Sequence, residues 1–417
     1  MSAETVTIDS LGAQGDGIVH AENGPVYVPF ALPGETVAIA RVKAQGTIIS
    51  MAKASSERVA PPCRHFGPDG EGGTCGGCSL QHMSRPLYTG FKRDLVISAL
   101  KSKGLAADVR PIIEAEPGER RRVVLAARRT EKGLLLGFHQ AESHHIVAIS
   151  ECPIASPGIV SRLEAIRKIG FSLSTNADPF RMTVLETLSG LDIAVDGLKG
   201  VSDGQRRAVT QVVLSLRGIA RVSANGEILI EPVKPALDFG GVTVNPPPGG
   251  FVQATQKAEQ AMSELVLAHV GKAKRIADLF AGSGTFSLRL ARVGQVHAVE
   301  SDEKAMKALD HAARNAQGLK PVKAEKRDLF RRPLMTQELK AFDAVVFDPP
   351  RAGAEAQCKE LARSSVKKIV AVSCNPLTLA RDLSILAEGG YRIETVTPID
   401  QFLWSSHVEV VATLTKG

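Results

Sequence analysis

From Phe251 to the C-terminus, short apolar runs alternate with longer runs of helical period. A helix to about Val270 is followed by RIADLF, TFSLRLARV, VHAVE, DEKAMKALDHAARNA, a further strand, AFDAVVFDPP, KKIVAVSCNP, TLARDLSILAEGG, RIETVTPID and HVEVVATL. This alternation predicts a largely parallel, doubly wound α/β sheet, because parallel neighbours need a crossover between them. Sheets of this kind take their ligands at the carboxyl ends of the strands. The residues that directly follow each strand are therefore the ones to weigh for chemistry.

Four strand ends carry such residues. In ADLFAGSGTF a strand runs into a turn with Gly282 and Gly284, where backbone can approach a ligand, and Glu300 ends the next strand, placed for ribose hydroxyls. A dinucleotide fingerprint would want a third glycine where Ser287 stands, which favours S-adenosylmethionine over NAD. AVVFDPP delivers Asp348, then Pro349 and Pro350, which stiffen the loop before Arg351. KKIVAVSCNP ends in Cys374, flanked by Ser373, Asn375 and Pro376. A thiol there is either a small core filler or a nucleophile, and the second role needs partial exposure and a stabilised thiolate.

Upstream the pattern changes. Residues 4–54 read as five short strands (TVTIDSL, GIVH, PVYVPF, ETVAIARV, GTIISMAKA), the makings of a small β-barrel. A Cys-, Gly- and Pro-rich segment follows, then a helical stretch from Tyr88 to about Arg110, then an α+β region to Val244. With 417 residues and about 150 per domain, two or three cored domains are expected. Lys plus Arg number 51 against 44 Asp plus Glu, a mild positive excess that suits a polyanionic partner. The opening residues show neither the basic nor the apolar region of a secretory leader, and no apolar run is long enough to span a bilayer, so a cytoplasmic protein is expected. Six cysteines are too sparse for a disulfide scaffold. Cys75 and Cys78 have the spacing of zinc or iron–sulfur ligands, with Cys63 upstream and Cys152 far downstream, and spacing does not choose between the metals.

DLFAGSGTF, DPPRAG, SCNP and the terminal HVE, together with CGGC and a barrel reading ALPGE, resemble the bacterial RNA 5-methyluridine methyltransferases, specifically the iron–sulfur branch acting on 23S ribosomal RNA. The resemblance covers nearly the whole chain. It implies a TRAM-like β-barrel over 1–57, an iron–sulfur cysteine segment over 58–95, a central α+β RNA-binding domain over 96–248 and a Rossmann-like S-adenosylmethionine methyltransferase domain over 249–417. It makes Cys374 the nucleophile and Glu409 the general base, assigns the methyl donor to Gln253, Phe280, Thr285, Glu300, Asp328 and Asp348, and assigns a 4Fe-4S cluster to Cys63, Cys75, Cys78 and Cys152. The chain departs from the family pattern at Thr255, where an Asn is usual, at Leu403, where DQF is usually followed by proline, and in the eleven residues between Cys63 and Cys75.

The chemistry explains why both catalytic groups are needed. Uracil C5 is a poor nucleophile until a thiolate adds at C6, and a base must afterwards remove the C5 proton so that the thiol can leave. Phe402 and Trp404, in the loop before Glu409, are placed to wall a flipped uracil. The basic runs Arg120–Arg122 with Arg128 and Arg129, and KAEKRDLFRR, are placed to meet phosphates or to be solvated surface. The expected partner is RNA, 23S ribosomal RNA first, engaged by a monomer with no membrane association. Competing readings are the same reaction on transfer RNA, an RNA cytosine-C5 methyltransferase, a non-catalytic RNA-binding protein and an iron–sulfur electron carrier. The cytosine enzymes use a second Cys in the loop that here runs Asp348 to Arg351 and has none.

Overall fold

The computed structural model describes residues 3–22, 24–141 and 143–417. Among these residues the N-terminal strands β1 (Ala3–Thr7), β2 (Ser10–Leu11), β3 (Gly17–Ala21), β4 (Gly24–Val28), β5 (Thr36–Val42) and β6 (Gln45–Lys53) form one sheet in the order β1-β5-β6-β4-β3-β2. Its end strands are neighbours in the chain, so the sheet curls into a small barrel around Val6, Ile8, Val26, Val28, Val37 and Ile39. The run TVTIDSL is two strands rather than one, because Ile8 leaves the ladder to bond the backbone of Gly34 and Glu35. Glu35 of ALPGE is fully buried and grips Arg58 (2.6 and 2.8 Å), fastening the barrel to the cysteine segment.

Between Lys53 and Arg85 the chain runs in turns, as its glycines dictate. The following helix, Arg85–Lys101, starts at Ser84, whose Oγ accepts from Leu87 N, and it stops short of the expected Arg110 because Gly104 turns the chain at φ 68°. Strands β7 (Arg122–Thr130), β8 (Gly133–His139), β9 (Ile146–Ala148), β10 (Phe180–Thr187), β11 (Gly190–Asp196), β12 (Ile219–Ala224) and β13 (Glu227–Ile230) make the central sheet, ordered β13-β12-β11-β10-β7-β8-β9. Helices Leu163–Leu173 and Asp203–Leu214 pack against each other and share its core. Strand β12 is not legible as an apolar run, since Arg221 and Ser223 interrupt it; Arg221 is buried only because Asp192 takes its guanidinium at 2.6 and 2.9 Å.

A short ribbon of β14 (Leu237–Asp238) and β15 (Thr243–Val244) leads to the third large sheet. Here β16 (Arg275–Leu279), β17 (Gln295–Glu300), β18 (Val322–Lys326), β19 (Ala344–Phe347), β20 (Lys368–Ser373), β21 (Arg392–Ile399) and β22 (Glu409–Thr415) take the order β18-β17-β16-β19-β20-β22-β21. The first five are parallel, and β22 inserts antiparallel between β20 and β21. Val345 and Phe347 face one core and Ala344 and Val346 the other, as expected of a strand covered on both sides. This is the Rossmann-like α/β domain that the alternation predicts. One expectation fails locally: TFSLRLARV yields a helix only over Ser287–Leu290. No helix among the described residues is long and apolar enough to cross a membrane.

Candidate active site

Strand order reverses between β16 and β19, and the crevice at their carboxyl ends gathers the residues singled out above. After β16 the backbone is left-handed at Phe280 (φ 60°), Gly282 (φ 54°) and Gly284 (φ 98°). A Cβ on Gly284 would lie 2.3 Å from Leu309, whereas one on Gly282 would meet open space, so Gly284 is required by packing and Gly282 leaves room for a ligand. Glu300 accepts from Gly282 N at 2.9 Å and from Asp302 N at 2.7 Å, which sets its carboxylate against the turn. Thr285 gives its carbonyl to Arg289 at 2.7 Å. Asp328, after β18, accepts from Phe330 N at 3.0 Å, and the exposed Phe330 ring leans on Phe280 at 5.5 Å. Beneath the turn Asp278 is fully buried; Ser287, the residue standing in the third glycine's place, bonds its Oδ2, while Oδ1 has no partner. Burial pushes this carboxyl up to about 7, with Asp348 and Glu300 adding repulsion.

Cys374, Glu409 and Asp348 meet because of sheet topology. Ser373 at the end of β20 pairs with Val410 near the start of the antiparallel β22, so the next residues outward, Cys374 and Glu409, share one edge, and Asp348 follows the adjacent β19. Asp348 accepts Gln253 Nε2 at 2.9 Å, and Glu409 accepts Gln401 Nε2 at 2.9 Å. Burial pushes Asp348 up to about 7 and Glu409 well above the usual carboxylate range, with Asp348 repelling Glu409. Both the partly buried Asp348 and the fully buried Glu409 are thus pushed toward their protonated forms. Cys374 is half-buried; burial raises its thiol to about 11, Glu409 and Asp348 add to this, and Arg351 opposes it. Gln253 Oε1 and Ser283 Oγ, buried beside the crevice, have no partner. Together with Asp278 Oδ1 and the glycine turn, these orphaned groups suit a polar ligand with donors of its own, as an aminoacyl sulfonium nucleoside is.

In the loop before Glu409, the Phe402 and His407 rings lie 6.0 Å apart, and the Arg120 guanidinium lies 5.8 Å from the Phe402 ring. The helix Arg85–Lys101 holds this loop from behind. Its fully buried Lys92 bonds Asp400 and the Phe402 carbonyl (2.9 Å); Tyr88 donates its OH to Asp400 at 2.7 Å and accepts from Trp404 N at 2.8 Å. Leu403, where proline is usual, is packed against Leu32, Leu80 and Tyr88, and Thr255, where Asn is usual, caps the helix Gln256–Val270.

The basic runs are largely committed inside the protein. Arg121 is buried on Glu259 and the Gln253 carbonyl, Arg129 bonds the carbonyls of Phe171 and Ser174, and Arg327 pairs with Glu338 at 2.7 and 2.8 Å. Gln401, Asp278, Lys92 and Glu259 were not singled out by the sequence reading. Asp278 alone carries a local signal, a polar residue inside the otherwise apolar run RIADLF.

Cys63, Cys75, Cys78 and Cys152 line one cavity together with Phe66, Phe138, Ile149 and Ile154 and with the polar His65, Gln81 and Glu151. Burial raises all four thiols, Cys78 to about 12 and Cys152 to about 11, and mutual repulsion raises Cys75, Cys78 and Cys152 further. Among the described residues no three His, Cys, Asp or Glu side chains stand close enough to hold a single metal ion. The cavity thus gathers four sulfurs without drawing them to one point.

A family model described as tRNA (uracil-5-)-methyltransferase matches residues 242–417. An uncharacterized RNA methyltransferase of Agrobacterium fabrum is 72% identical over 416 residues, all of both chains. The 23S rRNA (uracil(1939)-C(5))-methyltransferase RlmD of Yersinia enterocolitica is 33% identical, covering 98% of this chain and 94% of its own. Among solved structures, the Pyrococcus abyssi tRNA (uracil-54, C5)-methyltransferase in complex with S-adenosyl-L-homocysteine superposes with a TM-score of 0.76 at 25% identity over 99% of each chain.

Proposed function

This chain belongs to the RNA uracil-C5 methyltransferase family and is a S-adenosylmethionine-dependent enzyme, and we propose that its substrate is a uridine of 23S ribosomal RNA, methylated through a covalent bond between Cys374 and uracil C6. The observation that carries the mechanism is the meeting of a half-buried thiol, a buried carboxyl and a partly buried one at one sheet edge. Gln253, Phe280, Thr285, Glu300, Asp328 and Asp348 surround the space for the methyl donor, whose sulfonium supplies an electrophilic methyl group. Cys374 loses its proton to Asp348, which leaves Glu409 ionised for the last step, and adds to C6 of a uracil extruded between it and the Phe402 wall. The ring's electron pair is pushed to C5, which takes the methyl. Glu409 then removes the C5 proton, and the electrons of that C–H bond restore the C5–C6 double bond and expel the thiolate.

For the cysteine cavity we propose a 4Fe-4S cluster on Cys63, Cys75, Cys78 and Cys152. Four sulfur donors around one cavity suit iron and sulfide, whose cube holds its four ligands farther apart than a single ion does. Positive iron is also what four thiolates raised by burial need to ionise. The cluster would tie the central domain to the barrel side of the chain and takes no part in the steps above.

The test is nucleoside mass spectrometry of 23S ribosomal RNA and transfer RNA transcripts incubated with the protein and methyl-labelled donor. Labelled 5-methyluridine in the ribosomal transcript is expected. Label in transfer RNA, the substrate class of the Pyrococcus abyssi enzyme, would overturn the substrate and keep the chemistry, and label in neither would overturn both.

A further inference from the structure

We propose that Gln401 is the positioning residue of the base: its carboxamide holds Glu409 in the orientation that removes the C5 proton and ties that orientation to the loop carrying Gln253. The inference rests on Glu409 being that base. Two carboxamides serve the carboxyl pair in parallel, Gln253 giving one N–H to Asp348 and Gln401 giving one to Glu409, both at 2.9 Å. The other end of Gln401 is spent as well, because its Oε1 accepts from Ala254 N at 2.8 Å, the residue directly after Gln253. Gln401 is 2% exposed, so water does not stand in for either contact. The backbone beneath it is pinned from the far side, since Asp400 N bonds the Ile113 carbonyl at 2.8 Å and the Asp400 carboxylate takes Lys92 and Tyr88.

This arrangement has a chemical purpose. In the step served, the C5–H bond breaks, its proton passes to Glu409, its electron pair forms the C5–C6 double bond, and the C6–Sγ bond breaks to release Cys374 as thiolate. A base for that step must be ionised and aimed. Burial first, and then repulsion from Asp348, disfavour the ionised form of Glu409; the Cys374 thiol beside it has Arg351 on its far side. The Gln401 N–H favours that form and also fixes its direction.

The experiment follows two labels on one RNA transcript, the ribosomal or transfer RNA that accepts methyl, prepared with 5-tritiated uridine and incubated with full-length protein and ¹⁴C-methyl donor. In the unaltered enzyme methyl incorporation and tritium release advance together. In Gln401→Met, methyl is expected to enter a protein–RNA species that survives denaturation while tritium release lags by about 10- to 100-fold, the worth of a hydrogen bond to a charged group. Gln401→Glu, which keeps the size and replaces the donor, is expected to show the same lag and serves if the Met variant does not fold. A merely structural role would slow both labels equally, so release that stays in step with incorporation, at any rate, overturns the proposal. If Glu409→Gln also keeps the two in step, the failure lies with the base assignment and the positioning role falls with it.

Discussion

At the scale of single residues, the active-site edge is a problem of protons. Cys374 sits in a field that disfavours its thiolate, with burial and two carboxyls against it and Arg351 in its favour. In the proposed mechanism Asp348 takes its proton as the ring is attacked, and Glu409 stays free for the C5 proton. Cys374→Ala is expected to lower methyl transfer by at least about 10³-fold, the scale of losing a nucleophile, while calorimetry shows S-adenosylhomocysteine still bound; residual turnover within tenfold of the parent would remove the thiol from the mechanism. Asp278 supplies a pH-dependence. Its folded-state pKa of about 7 lies above the ordinary 3.8, so the folded protein holds a proton that the unfolded chain gives up. That contribution to stability is complete below about 3.8, declines as pH rises toward 7 and is gone above it, with a slope of at most about 1.4 kcal/mol per pH unit. Denaturant melts of Asp278→Asn at pH 5 and pH 7 are expected to differ less than those of the parent, and an equal difference would count against this account.

At the scale of elements, helix Gln256–Val270 does more than cover the sheet. Its Glu259 is fully buried and takes Arg121 from the central domain on one oxygen and Arg289 (2.7 Å) on the other. Arg121 in turn holds the Gln253 carbonyl and Arg289 the Thr285 carbonyl. One carboxylate thus braces both loops around the donor space. Glu259→Ala leaves two buried guanidinium groups unpaired and is expected to cost about 3–5 kcal/mol by denaturant unfolding, with donor affinity weakened as well; a loss below about 1 kcal/mol would show the triad to be incidental. The same helix shows what was legible locally. Its end near Val270 follows from the sequence pattern, whereas Arg121, which the sequence leaves between a phosphate contact and a solvated surface charge, becomes a core residue only through Glu259, more than a hundred positions away.

At the scale of the whole molecule, one small core joins every part of the chain: Leu32 from the barrel, Leu80 from the cysteine segment, Tyr88 from the helix Arg85–Lys101, Ile154 beside Cys152, and Leu403 from the uracil-wall loop. The Trp404 carbonyl accepts from Ser79 N (2.8 Å) and Leu80 N (3.0 Å), directly after Cys78. Purified protein is expected to carry about four iron and four sulfide per chain, as the proposed 4Fe-4S cluster requires. Cys78→Ser is expected to lose that iron and melt several degrees lower; iron-free parent protein with an unchanged melting temperature would refute the cluster. The α/β class, the barrel and the placing of Cys374, Asp348 and the glycine turn at strand ends were determined by the sequence alone, because periodicity and turn chemistry are local. The resemblance named Cys374 with Glu409 and grouped the four cysteines, but the sheet edge that Cys374, Glu409 and Asp348 share, the Gln401 and Gln253 contacts to the two carboxyls, and the one cavity that Cys152 lines with Cys63, Cys75 and Cys78 were decided by tertiary structure. They depend on which strands become neighbours and which buried charges find partners across the chain, and such long-range contacts leave no local period behind.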